Sequence, residues 1–145
     1  MKARSILLDG GFVAAITDDT NPLHDPAIAM YATLIDQYQQ GGVRLFAPST
    51  VLMSYDRFVR RGALAPIETT WVARQHRNAA AAIDAPSSDI ALALVLMRRE
   101  RFSAIATTLA FYDEFDIEVI RPLPDTEIDV SSRTEPMPAR QSTGE

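Results

Sequence analysis

Residues 5–12 of the chain, SILLDGGF, contain the pattern that decides the fold. A mostly apolar run, Ser5 to Leu8, is followed directly by the carboxylate of Asp9 and then by two glycines. Such a run predicts a strand that is buried on both faces, as in the middle of a parallel sheet. Asp9 then stands at the carboxyl end of the strand, at the edge of the sheet where ligands bind. The alternative is that Asp9 only caps the following helix.

The composition indicates one globular domain and excludes several kinds of site. With 145 residues, of which 47% are hydrophobic, the chain is large enough to bury a core. It contains no cysteine, which excludes disulfides, thiolate metal sites and cysteine nucleophiles. The apolar run near the N-terminus is too short for a signal peptide or a membrane span, so we expect a cytoplasmic protein with no membrane association.

The charges of the chain are unevenly distributed. The net charge is −5, and residues 124–145 carry many of the acidic groups and only two arginines. Their Pro-, Ser- and Thr-rich composition predicts a mobile acidic tail that follows a domain at residues 1–123. The arginines of the domain cluster at residues 57, 60 and 61, at 74 and 77, and at 98, 99 and 101. Arginine suits bidentate phosphate contacts, although many arginines on outer helix faces are simply solvated.

The predicted elements alternate between strands and helices along the chain. We expect strands at residues 5–8, 43–46, 103–107 and 117–120, and helices at 12–16, 26–40, 48–62, 66–83, 86–101 and 109–115. This alternation predicts a three-layer α/β domain with a mainly parallel central sheet flanked by helices. The functional edge of that sheet should bring together Asp9, the start of the helix at Pro48, Asp89 and the residues after Thr107.

Several short motifs resemble those of PIN domains, the family that includes the VapC-type toxins. ILLDGGF at residues 6–12 looks like their opening motif, and NPLHDPA at 21–27 is similar to their D-x-x-H-x-x-A segment. The later motifs are similar at FAPSTVL 46–52, SDIALA 88–93, IATT 105–108 and FDIEVI 115–120. The resemblance covers about residues 5–121, and it rests on the order and spacing of motifs that are individually weak.

The resemblance implies a PIN-like fold and metal-dependent cleavage of RNA by an acidic cluster. Asp9 and Asp89 match the first and third acidic positions of the family, so they are the implied catalytic residues and ligands for Mg²⁺ or Mn²⁺. The chemistry is consistent with these residue types, because carboxylates hold hard cations. A bound cation lowers the pKa of its water and stabilises negative charge on a phosphate.

The chain departs from the family pattern at two acidic positions. Ser54 stands where the family has Glu, and Leu109 stands where it has Asp, two residues after Thr107. A two-metal site needs ligands for both ions, so we expect a single, weakly bound ion. Ser54, Thr107 and Asp113 are auxiliary candidates, and Asp113 lies one helical turn beyond Leu109. The alternative for Asp113 is an ordinary solvated acid.

Two hypotheses of function follow from this pattern. The first is a VapC-like endoribonuclease that works with a reduced site on Asp9 and Asp89. The second is a PIN-like domain that has lost cleavage and binds RNA or a protein. The resemblance also suggests an antitoxin-type partner and a homodimer. The acidic tail is a candidate competitor of RNA for the arginine clusters.

The two histidines show no catalytic pattern. We expect His24 to pack and cap within the family-like segment, and His76 to lie on the solvated surface. The glycine pair lacks the G-x-G-x-x-G spacing of a dinucleotide site. No Ser-His-Asp arrangement can be read from the sequence.

Overall fold

Five strands and six helices follow one another in residues 2–123, the part of the chain that this computed structural model describes. The strands are β1 Arg4–Leu8, β2 Val43–Pro48, β3 Ile67–Thr70, β4 Ala104–Ala106 and β5 Val119–Ile120. The helices are α1 Gly10–Thr17, α2 His24–Gln39, α3 Ser49–Ser54, α4 Asp56–Arg60, α5 Arg74–Ala81 and α6 Ser88–Arg99. The predicted acidic tail, residues 124–145, lies outside the described residues.

The strands form one sheet in the order β3-β2-β1-β4-β5, and every neighbouring pair in it is parallel. β1 is central, and Leu7 pairs with Phe46 on one side and with Ile105 on the other. Because all strands run the same way, their carboxyl ends meet at one edge. The predicted α/β class with a parallel sheet is confirmed.

Helices cover both faces of the sheet, which gives the predicted three layers. In β1, Ile6 and Leu8 pack into one core cluster with residues of α1, α2 and α3, and Leu7 packs into the other with residues of α5 and α6. This alternation follows from the two-residue period of a strand. The α6 helix buries seven consecutive residues, Ala91 to Met97, as its apolar sequence predicts. No helix within residues 2–123 is both long and apolar enough to cross a bilayer.

The prediction of one helix over residues 66–83 is wrong in its first part. Residues 67–70, IETT, form the edge strand β3, which pairs with β2 from Leu45 to Pro48. Only Arg74–Ala81 is helical. Isoleucine and threonine are β-branched and favour strands, and the neighbouring strand supplies the pairing that a local pattern does not reveal.

Two other helices are shorter than predicted. The helix expected at residues 48–62 is interrupted at Tyr55, where φ is −120° and ψ is 32°, and this break separates α3 from α4. The helix expected at residues 109–115 is only a 3₁₀ turn, Phe111–Glu114. Short segments of this kind commonly adopt 3₁₀ geometry.

The prediction of a solvated His76 is also wrong, since only 6% of the residue is exposed. Its Nδ1 accepts the backbone N–H of Ala73 at 3.0 Å, and its Nε2 lies 3.2 Å from a carboxylate oxygen of Glu100. His76 therefore ties the start of α5 to the end of α6. His24 fits its predicted capping role, because its Nδ1 lies 2.7 Å from the backbone oxygen of Ala15.

Candidate functional site

Asp9 leaves the central strand at the carboxyl edge and begins α1. Its backbone is extended, and its Oδ1 accepts the N–H of Phe12 at 2.9 Å, which is the geometry of a helix N-cap. Only 2% of the residue is exposed. Asp9 therefore does cap α1, as the alternative interpretation of the sequence expected. Because the cap uses only Oδ1, Oδ2 is left for other partners.

Thr107 holds that second oxygen. Its hydroxyl donates to Asp9 Oδ2 at 2.6 Å, and it also accepts the N–H of Leu109 at 3.0 Å. The residue is fully buried and directly follows β4, which lies next to β1 in the sheet. Thr107 thus fixes the orientation of the Asp9 carboxylate from the neighbouring strand.

Burial dominates the electrostatics of Asp9. Loss of solvent raises the pKa of its carboxyl, and the hydrogen bonds from Thr107 and Phe12 oppose that shift in part. A cation placed beside the carboxylate would act in the same direction as these hydrogen bonds, because it favours the ionised form. In the absence of a cation, burial therefore favours the neutral form of this carboxyl.

Tyr112 is a residue of this site that the sequence did not indicate. It is fully buried, and its hydroxyl has no hydrogen-bond partner of normal geometry within residues 2–123. Burial and the nearby charges of Asp9 and Asp89 raise the pKa of its phenol. An aromatic residue in a short apolar segment is typical of a core. Nothing in the sequence therefore indicated that the hydroxyl of Tyr112 lies at a site.

Asp89 meets Asp9 in one cavity, although 80 positions separate them in the chain. Asp89 lies in the first turn of α6 and is exposed, and Ser87 caps that helix by accepting the N–H of Ile90 at 3.3 Å. The cavity has a volume of about 200 Å³, and we call it the acidic pocket. It is lined by Asp9, Gly11, Ser87, Asp89, Leu109 and Tyr112, with Gly10 and Ile90 beside them.

Gly11 allows the backbone to approach this pocket closely. A Cβ at its position would lie 3.0 Å from the Thr108 hydroxyl and 3.6 Å from Asp9 Oδ1. A Cβ there would require the Thr108 side chain to move by a few tenths of an ångström. The glycine therefore lets α1 and the loop after β4 lie close together at the pocket wall.

The other candidate residues lie in different places. Leu109 lines the acidic pocket with an apolar side chain. Ser54 is exposed, does not line that pocket, and donates to the backbone oxygen of Thr50 at 3.2 Å. Asp113 also lies outside the pocket lining, and it pairs with the guanidinium of Arg121.

The acidic pocket offers fewer carboxylates than a two-metal site needs. Within residues 2–123, no group of three or more His, Asp or Glu side chains lies close enough together to hold a metal ion. Asp9 and Asp89 supply two carboxylates, which is the number that Mg²⁺ commonly takes from protein, the remaining ligands being water and substrate oxygens. The pocket offers far more space than one water needs.

Comparisons with known proteins bear on the fold. No family model matches the sequence, and no curated protein matches it. Among solved structures, the chain is similar to Mycobacterium tuberculosis VapC20, a Sarcin-Ricin loop cleaving toxin. The TM-score is 0.60 at 15% identity, over 81% of this chain and 99% of that chain. At this identity the similarity establishes architecture alone, and the chain has the PIN-like fold of the VapC20 toxin.

Proposed function

We propose that this protein is a PIN-like endoribonuclease with a reduced site, in which Asp9 and Asp89 hold a single Mg²⁺ or Mn²⁺. One observation carries the proposal: the two aspartates, from distant parts of the chain, line one pocket at the carboxyl edge of a parallel sheet. The PIN-like motifs and the structural similarity to a toxin that cleaves the sarcin–ricin loop support RNA as the substrate class.

Each residue of the pocket has a distinct part in this proposal. A bound cation would supply Lewis-acid polarisation of a phosphate and a water of lowered pKa. Asp9 is held in one orientation by Thr107 and by the N–H of Phe12, so little reorganisation is needed for it to bind a cation. Asp89 is exposed and can face both the cation and solvent. Leu109 excludes water from one wall.

Partner binding is a further part of the proposal. The likeness to VapC-type toxins supports an antitoxin-type protein partner and a homodimer, in addition to RNA. The exposed apolar side chains of Met53, Val59 and Trp71 surround one groove beside the edge strand β3, which is consistent with a protein contact at that edge.

Thermal unfolding with added Mn²⁺ tests the cation site. A ligand at ten times its Kd stabilises a folded protein by about 1.4 kcal/mol, which for a chain of this size raises the Tm by about 3–6 °C. We expect this rise in the native protein and its loss in Asp9→Asn and Asp89→Asn. Asp113→Asn is the matched control, because it removes a carboxylate outside the pocket, and it should keep the rise.

Cleavage of a mixed RNA pool in Mn²⁺ tests the activity itself. The native protein should cut the pool, and the double variant Asp9→Asn/Asp89→Asn should not. Equal cleavage by the two proteins would place the activity elsewhere and contradict the proposal. Absence of both the Tm rise and the cleavage in the native protein would contradict it completely.

A binding module without cleavage is the second candidate, and Leu109 favours it. Its side chain occupies the pocket wall where the family places a carboxylate. Leu109→Asp restores that carboxylate within the pocket, and Ser54→Glu restores the other acidic position on α3. If only the Ser54→Glu/Leu109→Asp protein cuts RNA, the natural chain is a binding module on a nuclease fold.

A further inference from the structure

A second cavity adjoins the acidic pocket and shares Asp89 with it. It also has a volume of about 200 Å³ and is lined by Thr50, Arg77, Ala80, Ser88, Asp89 and Leu92, with Ala81 beside them. We call it the arginine pocket. It combines the start of α3, one face of α5 and the start of α6, so residues from three separate parts of the sequence meet there.

We propose that the arginine pocket binds a phosphodiester group of the RNA strand and positions that strand across Asp89. This inference rests on the proposed function, because it takes RNA as the ligand. It assigns to Arg77, Thr50 and Ser88 a role in substrate binding that is separate from the cation ligands.

Arg77 is the positive group of the pocket. Four other arginines of residues 2–123 are ion-paired with carboxylates, namely Arg4, Arg44, Arg60 and Arg121. Within those residues the structure shows no ion pair for Arg77, although Asp89 lines the same cavity. Its guanidinium therefore keeps its donors for a ligand, and their planar arrangement suits bidentate contact with a phosphate.

Thr50 is the second observation that points to a ligand. Its hydroxyl oxygen is buried and has no hydrogen-bond partner within residues 2–123. Buried hydroxyls are nearly always hydrogen-bonded, so an unpaired one at a cavity wall requires an explanation. A phosphate oxygen in the pocket would accept the hydrogen bond that this hydroxyl lacks once the Thr50 side chain turns toward the cavity.

The start of α6 completes the binding surface. Ser88 lines the pocket with its hydroxyl-bearing side chain, and the first amide groups of the helix have no partners inside it. Such groups favour anions. Asp89 opposes an anion by its charge, and Arg77 offsets that repulsion across the same cavity. A phosphate bound there would lie directly beside the acidic pocket.

Equilibrium binding of a fluorescein-labelled, mixed-sequence single-stranded RNA to the full chain tests the inference. The measurement is made in EDTA, so that it does not depend on the cation or on cleavage. Arg77→Gln should weaken binding by about tenfold, as loss of a charged hydrogen bond does. The slope of log K against log salt should also fall by about 0.7, the value for one phosphate contact on a single strand.

Arg74→Gln is the matched control, because Arg74 is exposed on the same helix and does not line the cavity. It should change the affinity by no more than about twofold. Thr50→Val should weaken binding and Thr50→Ser should restore it, because serine keeps the hydroxyl. Equal losses of RNA affinity in Arg77→Gln and Arg74→Gln would overturn the inference. They would show that arginines attract RNA only by their charge and not through a defined pocket.

The inference and the proposed function fail in distinguishable ways. In one outcome, Mn²⁺ does not raise the Tm of the native protein, but Arg77→Gln still lowers the RNA affinity tenfold. This outcome refutes the cation site and supports the phosphate subsite. In the opposite outcome, Mn²⁺ raises the Tm of the native protein, but Arg77→Gln binds RNA as tightly as the native protein does. This outcome refutes the subsite alone. A native chain that binds no RNA at low salt refutes the subsite and RNA as the substrate.

Discussion

Asp9 has two structural roles, and the burial of its charge acts against both. As an N-cap it satisfies the N–H of Phe12, and it also accepts the hydroxyl of Thr107. Both contacts stabilise the fold. Burial of the charge acts against them and raises the pKa of the carboxyl. An asparagine could keep the N-cap contact through its amide oxygen, but its NH2 group would face the Thr107 hydroxyl as a donor and could not accept from it.

Asp9→Asn should therefore remove a pH dependence of stability. The ordinary pKa of an aspartate carboxyl is 3.8 and burial raises that of Asp9 in the folded chain, so the folded state holds a proton to higher pH than the unfolded state. The contribution of Asp9 to the free energy of unfolding is thus greatest below about pH 3.8 and is lost as the pH rises through the folded pKa. In the Asp9→Asn protein that loss should be absent, because asparagine does not titrate.

Urea unfolding in EDTA, repeated between about pH 4 and pH 7, measures this effect. Asp113→Asn is the control, because Asp113 is exposed and paired with Arg121. The stability of the Asp9→Asn protein could instead fall with rising pH as steeply as that of the native protein. That result would show that Asp9 is not the source of the pH dependence.

At the scale of elements, the ring of His76 combines a local contact at the start of α5 with a tertiary contact to the end of α6. Ala73, which precedes the helix, has no side chain that can accept a hydrogen bond, and His76 accepts its N–H from inside the first turn instead. Because that N–H bonds to Nδ1, the ring proton lies on Nε2 and is donated to Glu100 on the neighbouring helix. The ring thereby connects α5 to the end of α6.

His76→Leu should lower the free energy of unfolding by about 1–3 kcal/mol, because it leaves the Ala73 amide without its partner. His76→Gln should recover part of this loss, since glutamine at the third helical position can accept the same N–H in a capping box. Chemical unfolding measures both variants against Gln75→Leu, a change at an exposed neighbour on α5. Equal stability of the His76→Leu and native proteins would show that the buried ring contributes nothing.

At the scale of the whole molecule, the parallel sheet gathers the site. Asp9 follows β1, Thr107 follows β4 and Thr50 follows β2, and the three strands are adjacent with their carboxyl ends at one edge. The chain as a whole carries a net charge of −5, which opposes RNA, so the proposed RNA binding would depend on local groups such as Arg77.

Deletion of residues 124–145 should strengthen RNA binding. This segment carries acidic residues at 125, 127, 129, 135 and 145 against arginines at 133 and 140, so its removal makes the remaining chain less negative. The gain in affinity should be largest at low salt, because charge repulsion is screened as ionic strength rises. Fluorescence anisotropy at two salt concentrations measures it, and an unchanged affinity would contradict a role for the tail in competition with RNA.

The sequence predicted correctly those strands and helices whose apolar residues form a clear local pattern. The run before Asp9 is buried on both faces, and the apolar residues of α6 lie against the sheet as expected. The strand IETT at residues 67–70 was missed because four residues at a sheet edge have a weak local pattern and need a partner strand to be recognised. His76 was misplaced for a related reason, since its partners belong to another element or to the backbone.

The sequence by itself determined the parallel α/β architecture through its hydrophobic period. The resemblance of its motifs to those of PIN domains indicated Asp9 and Asp89 as the candidate acids. Only the tertiary structure decided that these acids share a pocket, that Leu109 lines it, and that Ser54 and Asp113 do not. It also decided that Tyr112 lines the acidic pocket and that Thr50 lines the arginine pocket beside it. The reason is physical: a side chain's surroundings depend on which distant strands and helices the packed sheet brings to one edge.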